Sequence, residues 1–145
     1  MKILVIGCGK MGSVIAWDLC RYAEVESVGL VDNYTPSLEN ATAWIQDKRV
    51  TTHLLGSNSR EQLIALMKSY DVGIGALPMI RQTNQLIEMA VEAEINLVDI
   101  YGEYYRRPNE AYLEGFNIPS GVTGQAYGEM LHQQALEKDI TILCC

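Results

Sequence analysis

The sequence predicts an α/β fold with a parallel sheet, and three observations lead to this prediction. Six short apolar runs alternate with stretches of helical character along the 145 residues. Strands joined by helices return to the same edge of a sheet, so they pair in parallel. A glycine-rich segment, residues 7–12, directly follows the first apolar run. The length is that of one domain, so a single domain over residues 1–145 is expected.

The predicted strands are the apolar runs, and the first is aliphatic throughout, which is typical of a strand buried on both faces. They cover residues 2–6, 25–31, 49–55, 72–77, 95–100 and 140–145. The predicted helices cover residues 13–22, 35–45, 59–69, 83–93 and 123–138. Six strands with five connections predict a doubly wound sheet in the order 3-2-1-4-5-6.

Polar residues predict where several helices begin. Thr35 is expected to cap the second helix, with Pro36 at its first position. Ser59 and Gln62 form a predicted capping box for the third helix, and Thr83 is expected to open the fourth. In the first helix, apolar residues recur at the spacing of one helical face, at Met11, Val14, Ile15, Leu19 and Tyr22.

The charge balance argues against a nucleic-acid or membrane-surface protein. The chain has 11 basic and 18 acidic side chains and a net charge of −7. Anionic partners require a basic patch, and the basic pairs at 48–49 and 106–107 are too small for one. No apolar run reaches the roughly 18 residues that span a bilayer, and the run after Met1 is too short for a signal peptide. The expected location is the cytoplasm.

The cysteine and histidine residues predict neither a metal site nor a disulfide framework. Their positions contain no CxxC pair, and the two histidines stand alone. We interpret the cysteines as small apolar residues of the core. The residues concerned are Cys8, Cys20, Cys144 and Cys145, with His53 and His132.

The glycine-rich segment matches the GxGxxG pattern of a dinucleotide-binding turn, with Gly7, Gly9 and Gly12 in the three positions. It lies between a predicted strand and a predicted helix, and Asp32 ends the next strand. Gly7 is expected to allow the tight turn, Gly9 to let a diphosphate approach the backbone, and Gly12 to let the helix pack on the strand. The context predicts a Rossmann-type domain.

Other residues of this turn are expected to lie beside the cofactor. The free N–H groups of Met11 and Gly12 at the helix N-terminus favour a phosphate. Lys10 can reach a phosphate, although a lysine on a loop is more often simply solvated. Cys8 is expected to be a spacer that faces the cofactor rather than a reactive thiol.

Asp32 also predicts which dinucleotide is preferred. A carboxylate at this position accepts hydrogen bonds from the ribose hydroxyls and repels a 2′-phosphate. The following residues, Asn33 and Tyr34, supply no arginine to neutralise that phosphate. The prediction is therefore NAD rather than NADP. The alternative is that Asp32 only caps a turn.

The order of the strands places the ligand crevice between strands one and four. The loop after strand four, with Ala76, Leu77 and Pro78, is expected to flank the nicotinamide ribose. Asp99 ends strand five and is expected to face the same crevice. Asp99 is a weak candidate for a general base, and a capping role is the favoured alternative.

Several segments together resemble the N-terminal domain of the saccharopine dehydrogenase family. They are GCGKMG at 7–12 with AWDL at 16–19, VGLVD at 28–32, YDVGIGALP at 70–78 and LVDI at 97–100. The resemblance covers about residues 1–102 and the final strand. It implies an NAD(P)-dependent oxidoreductase that acts on C–N bonds of amino acids such as lysine, saccharopine or carboxynorspermidine.

The resemblance also implies that a second domain holds the small amino-acid substrate. The chain ends directly after an apolar strand, so we expect a domain cut from a longer two-domain enzyme and inactive by itself. The chain departs from the family at Gly56-Ser57, where an acidic residue often lies near the adenine. Residues 101–120 are also richer in tyrosine than expected, with Tyr101, Tyr104, Tyr105 and Tyr112. These tyrosines indicate either an interface, such as that of a homodimer, or a cover for the sheet edge.

A non-enzymatic alternative is a regulatory nucleotide-binding module of the kind that gates potassium transport. Such modules share the length, the glycine motif and the acidic residue. The Ala76-Leu77-Pro78 and Val98-Asp99 elements favour the dehydrogenase. A scaffold without a ligand is disfavoured because Gly7, Gly9, Gly12 and Asp32 are all present.

Overall fold

The computed structural model describes residues 1–56, 59–77, 80–100 and 116–145. The strands in these residues are Lys2–Ile6 (β1), Ser27–Asp32 (β2), Val50–Leu54 (β3), Val72–Gly75 (β4), Asn96–Asp99 (β5) and Ile142–Cys144 (β6). The helices are Lys10–Leu19 (α1), Thr35–Ile45 (α2), Arg60–Met67 (α3), Ile80–Ala93 (α4) and Gly124–Glu137 (α5).

The strands form one parallel sheet in the order β3-β2-β1-β4-β5-β6, which confirms the predicted fold. Alternate residues of β1 face opposite sides of the sheet, since Leu4 packs with α3, α4 and α5 whereas Val5 packs with α1 and α2. Burial on both faces explains why β1 is apolar at every position after Lys2. The two helical layers thus cover the two faces of the sheet.

Several predicted element boundaries were wrong. Tyr34 rather than Thr35 is the N-cap of α2, and Thr35 is its first residue. Ser59 precedes α3 with φ −103° and ψ 39° and makes no side-chain capping bond, because a capping side chain needs extended backbone. Helix α4 begins at Ile80, three residues before Thr83. Strand boundaries differ from the predicted apolar runs by up to two residues.

The predicted apolar face of α1 was wrong in part: Ile15 and Leu19 pack against the core as expected, but Met11, Val14 and Tyr22 do not. Its buried residues are Gly12 and Ala16, whereas Met11 and Val14 are about half exposed. The helix lies too close to the sheet for large side chains to fit between them, so small residues one turn apart make the contact. Tyr22 lies beyond the end of the helix and is exposed.

The turn between β1 and α1 is packed backbone against backbone. Gly7 has φ 99°, a conformation that favours glycine. A Cβ atom on Gly7 would lie 2.7 Å from the carbonyl oxygen of Ala76, after β4. A Cβ atom on Gly12 would overlap the carbonyl oxygen of Gly7. The absence of side chains at these two positions therefore sets the distances between β1, α1 and the loop after β4.

Two kinds of feature are absent from the part of the chain that the structure describes. None of the helices found there is long and apolar enough to cross a membrane. Within the same ranges, no group of three or more His, Cys, Asp or Glu side chains is arranged to hold a metal ion.

We expect Gly12→Ala to lower the free energy of unfolding by about 3 kcal/mol, because the new methyl group meets backbone atoms that cannot move aside. Urea denaturation followed by circular dichroism measures this change. Gly9→Ala is the matched control, since a Cβ atom there has no atom within 4 Å, and its cost should stay below about 1 kcal/mol. Equal losses of stability in the two variants would contradict the packing role of Gly12.

Candidate functional site

A cavity of about 500 Å³ opens at the carboxyl ends of the central strands. Ile6 at the end of β1 and Val31 near the end of β2 form part of its floor. The turn at residues 7–11, the end of β2 and the loop after β4 supply residues to its wall, and so do α3 and α4. The described lining residues are Ile6, Gly7, Gly9, Lys10, Met11, Val31, Asp32, Asn33, Leu55, Gly56, Arg60, Leu63, Ala76, Leu77, Gln85, Leu86 and Met89. This is the crevice that the strand order predicts.

The glycine-rich turn presents open backbone to the cavity. Gly9 is the N-cap of α1, and its carbonyl oxygen accepts the first intrahelical bond, from the N–H of Ser13 at 3.0 Å. The N–H groups of residues 10–12 therefore have no acceptor within the helix. The space above Gly9 is free for 4 Å around a Cβ position. An anion placed there can accept hydrogen bonds from these N–H groups, and it also lies at the positive end of the helix dipole.

Asp32 lies half-buried beside this turn and is fixed by two backbone hydrogen bonds. The N–H of Cys8 donates to Oδ2 at 2.7 Å, and the N–H of Tyr34 donates to Oδ1 at 2.9 Å. The carboxylate thus ties the glycine-rich turn to the start of α2. Each oxygen keeps a further lone pair, so this capping leaves Asp32 able to accept bonds from a ligand in the cavity.

The lining of the cavity is locally cationic in an acidic chain. Lys10 and Arg60 are positive and Asp32 is the negative residue among the described lining residues, whereas the whole chain carries −7. The field inside a cleft depends on the charges around it, so this arrangement favours an anionic ligand.

The structure brings most of the predicted cofactor-binding residues to this cavity. Those that line it are Gly7, Gly9, Lys10, Met11, Asp32, Asn33, Ala76 and Leu77. Gly12 lies below the turn, in contact with β1, and is not part of the lining. Pro78 lies outside the described residues, as do the tyrosines at 101, 104, 105 and 112. The contact of Pro78 with a cofactor stays a prediction, and so does the role of the tyrosines at an interface or over the sheet edge.

Asp99 does not line the cavity in the described part of the chain. Its side chain is fully buried beside Gly75, its partner residue on β4. A general base must reach the proton that it removes. The catalytic role of Asp99 therefore stays a prediction.

The wall formed by α3 and α4 was not predicted from the sequence. Gln85, Leu86 and Met89 share one face of α4, and Leu63 and Arg60 face them from α3. The helical spacing of 85, 86 and 89 is visible in the sequence, but only the packing of α3 beside α4 on one side of the sheet shows that this face meets the crevice. Arg60 is the important omission, because it brings a guanidinium group to a site where Asn33 and Tyr34 supply none.

Cys8 points away from the cavity, so its prediction as a spacer facing the cofactor was wrong. It is buried with α1 and α2 in the core on the opposite side of the turn, where Sγ lies 3.7 Å from the carbonyl oxygen of Ser37. Burial raises the pKa of its thiol; a bond to Ser13 opposes that effect, and the charge of Asp32 adds to it. The thiol stays protonated near neutral pH.

Comparison with known proteins gives one family and a set of related folds. Residues 3–143 match the family model described as the saccharopine dehydrogenase NADP binding domain. Saccharopine dehydrogenase (L-Glu forming) from Saccharomyces cerevisiae, in its apo form, has a TM-score of 0.67 at 12% identity, covering 99% of this chain and 26% of that one. GenD2 from gentamicin A biosynthesis, solved in complex with NAD, has a TM-score of 0.64 at 19% identity, with coverages of 99% and 34%.

A third solved structure extends the likeness to a different enzyme. WbmG from Bordetella bronchiseptica, in complex with NAD, has a TM-score of 0.60 at 11% identity, covering 99% of this chain and 52% of that one. At these identities the three likenesses show a shared fold. The chain spans between about a quarter and a half of the length of these proteins.

Alkylation tests the placement of Cys8. In the native protein near neutral pH, iodoacetamide should modify the exposed Cys145 quickly and leave Cys8 unmodified, because the Cys8 thiol is buried and protonated. Peptide mass spectrometry over time measures both rates, and urea-denatured protein serves as the control in which both react. Equal rates at Cys8 and Cys145 in the native state would contradict this placement.

Proposed function

The chain belongs to the family of saccharopine dehydrogenase NADP-binding domains, and from this premise we propose that its cavity binds a nicotinamide dinucleotide for a dehydrogenase. The observation that carries the proposal is the open backbone at Gly9, with N–H groups at the start of α1 that no helical acceptor uses. A group with two phosphates fits a surface where no side chain blocks the approach.

The diphosphate lies, in this proposal, against the turn at residues 9–11. The N–H groups at the start of α1 donate to it, and the helix dipole favours its negative charge. Lys10 lines the cavity at the same turn and adds a positive charge. The two phosphate groups thus lie where a positive side chain and free N–H donors are close together.

The two ends of the dinucleotide take different parts of the cavity. The adenosine ribose lies at the end of β2, where Asp32 accepts bonds from its hydroxyls and Asn33 lies beside it. The adenine extends toward Leu55 and Gly56, after β3. The nicotinamide end lies over the junction of β1 and β4, where Ala76 and Leu77 supply backbone and apolar contact.

NAD is the preferred form in this proposal. The Asp32 carboxylate is held in place by the N–H groups of Cys8 and Tyr34, so it cannot turn away from the ribose without losing those bonds. A 2′-phosphate at this point meets a fixed negative charge. A ribose hydroxyl in the same place donates to that charge.

The reaction that we propose is oxidation or reduction at a carbon that bears nitrogen in an amino acid, with a second domain holding the substrate. When bound, the nicotinamide ring accepts or supplies a hydride. The described residues of this chain bind and orient the dinucleotide and surround it with apolar side chains. We expect the isolated chain to bind the cofactor without turning over lysine or saccharopine. The family match favours this function over a regulatory module of the potassium-transport type.

Titration with NADH, followed by nicotinamide fluorescence, tests the proposal. Asp32→Ala should weaken NADH binding by about 1–3 kcal/mol, because charged hydrogen bonds to the ribose are lost. Asp18→Ala is the matched control, since Asp18 is an exposed carboxylate on α1 that pairs with Arg21 and does not line the cavity. Circular dichroism checks that both variants fold. No binding of NADH or NADPH by the wild-type chain would refute the proposal.

Gly9→Ala separates binding from folding at the glycine-rich turn. We expect it to weaken NADH binding at least tenfold, about 1.4 kcal/mol, because the methyl group occupies the space where the diphosphate approaches. Its stability should stay close to that of the wild type. Unchanged NADH affinity in Gly9→Ala would place the diphosphate elsewhere.

A further inference from the structure

Arg60 lies at the boundary between the nucleotide cavity and the surface of α4. It is the first residue of α3 and lines the same cavity as Asp32 and Gly56. On its other side it lines a second cavity, of about 400 Å³, with Glu88 and Glu92. The guanidinium is therefore placed to interact with either an acidic residue of α4 or a group inside the nucleotide cavity.

The ion pair that holds Arg60 in this structure is a weak one. Nη2 of Arg60 donates to Oε2 of Glu92 at 2.7 Å, and the two side chains are 43% and 56% exposed. Exposed pairs of this kind contribute little to stability because water screens the charges and two long side chains must be ordered. A ligand that binds Arg60 more strongly can therefore replace the Glu92 carboxylate at a small cost in free energy.

Glu88, one turn before Glu92, is already held by three hydrogen bonds. Its Oε1 accepts from the hydroxyl of Tyr127 at 2.8 Å and from the backbone N–H of Asn117 at 2.6 Å, and its Oε2 accepts from Nδ2 of Asn117. Glu88 is 6% exposed and joins α4 to α5 and to the segment before it. The carboxylate that pairs with Arg60, and with which a ligand would compete, is that of Glu92.

Phosphate is the group that Arg60 fits best. The planar guanidinium donates two parallel N–H bonds, which match two oxygens of a phosphate. The other cation of the cavity, Lys10, lies on the glycine-rich turn, where the proposed diphosphate uses it. A further phosphate on the ligand has Arg60 as its counter-charge among the described lining residues.

We propose that Arg60 is a specificity-determining residue of the nucleotide site, which exchanges the Glu92 carboxylate for the 2′-phosphate of NADP. This inference rests on the proposed function. Asp32 disfavours the 2′-phosphate and Arg60 favours it, so the ratio of the affinities for NADH and NADPH reflects the balance of the two. Glu92 sets that balance by holding the guanidinium when no phosphate is present.

The affinities of four proteins for NADH and NADPH test the inference: the wild type, Arg60→Gln, Glu92→Gln and the control Arg21→Gln. We expect Arg60→Gln to weaken NADPH about tenfold while NADH changes less than twofold. Glu92→Gln should strengthen NADPH severalfold and leave NADH unchanged, because it frees the guanidinium. Arg21→Gln removes an arginine two residues after the end of α1, 63% exposed and outside the cavity, and should alter neither affinity.

Binding of 2′,5′-ADP and of ADP isolates the 2′-phosphate from the rest of the ligand. Arg60→Gln should weaken 2′,5′-ADP and leave ADP unchanged. If Arg60→Gln weakened NADH as much as NADPH, and ADP as much as 2′,5′-ADP, Arg60 would act on the part that the nucleotides share, and the inference would be overturned. No change in any of these affinities would also overturn it. If NADPH binds the wild type too weakly to measure, the gain in Glu92→Gln decides, and its absence overturns the inference.

The two proposals fail differently. If the wild type binds neither dinucleotide, the proposed function is wrong and this inference falls with it. If the wild type binds NADH and the Arg60 and Glu92 variants keep its preference, the proposed function stands and this inference is wrong. Circular dichroism of each variant confirms that the fold is unchanged, as expected for two exposed side chains.

Discussion

The close approach of backbone to backbone at the end of β1 is the constraint on which the rest of the structure depends. Gly12 lies against the carbonyl oxygen of Gly7, and Gly7 lies against that of Ala76. These contacts bring α1 down onto the sheet and hold the loop after β4 beside the turn. They also leave the N-terminus of α1 facing a cavity with no side chain in front of Gly9. The close packing and the open face of the cavity thus come from the same glycine-rich turn.

The charges around this turn separate the cavity from the rest of the surface. The chain is acidic overall, yet the described lining carries two cationic residues and one carboxylate. That carboxylate, Asp32, is part of the scaffold as well as the site, because it accepts N–H bonds from Cys8 and Tyr34. In the proposed function, Asp32 therefore links the preference for a ribose hydroxyl to the shape of the turn.

The sequence predicts the architecture well because apolar runs and glycine positions are local signals. Alternation of strands and helices gave the strand order, and the GxGxxG spacing gave the turn. It predicts helix faces and starts less well, since these depend on neighbours. Met11 and Val14 fit an apolar face by spacing, but the sheet lies so close to α1 that Gly12 and Ala16 make the contact. Ser59 is a suitable capping residue in an unsuitable backbone conformation.

The site residues on loops at the strand ends could be predicted from the sequence, whereas those on the two packed helices α3 and α4 could not. Residues of the glycine-rich turn, the end of β2 and the loop after β4 follow from the rule that ligands bind at the carboxyl ends of the strands. Arg60 is 28 residues beyond Asp32 in the sequence and reaches the same cavity only because α3 packs beside α4. Its presence changes the electrostatics that Asp32, Asn33 and Tyr34 indicate by themselves.

A crystal structure of the chain with NAD is the most direct measurement of the central claim. The account predicts the diphosphate within hydrogen-bond distance of the N–H groups at the start of α1, above Gly9, with the adenosine ribose on Asp32. A dinucleotide bound elsewhere on the chain, with the space above Gly9 empty, would contradict it.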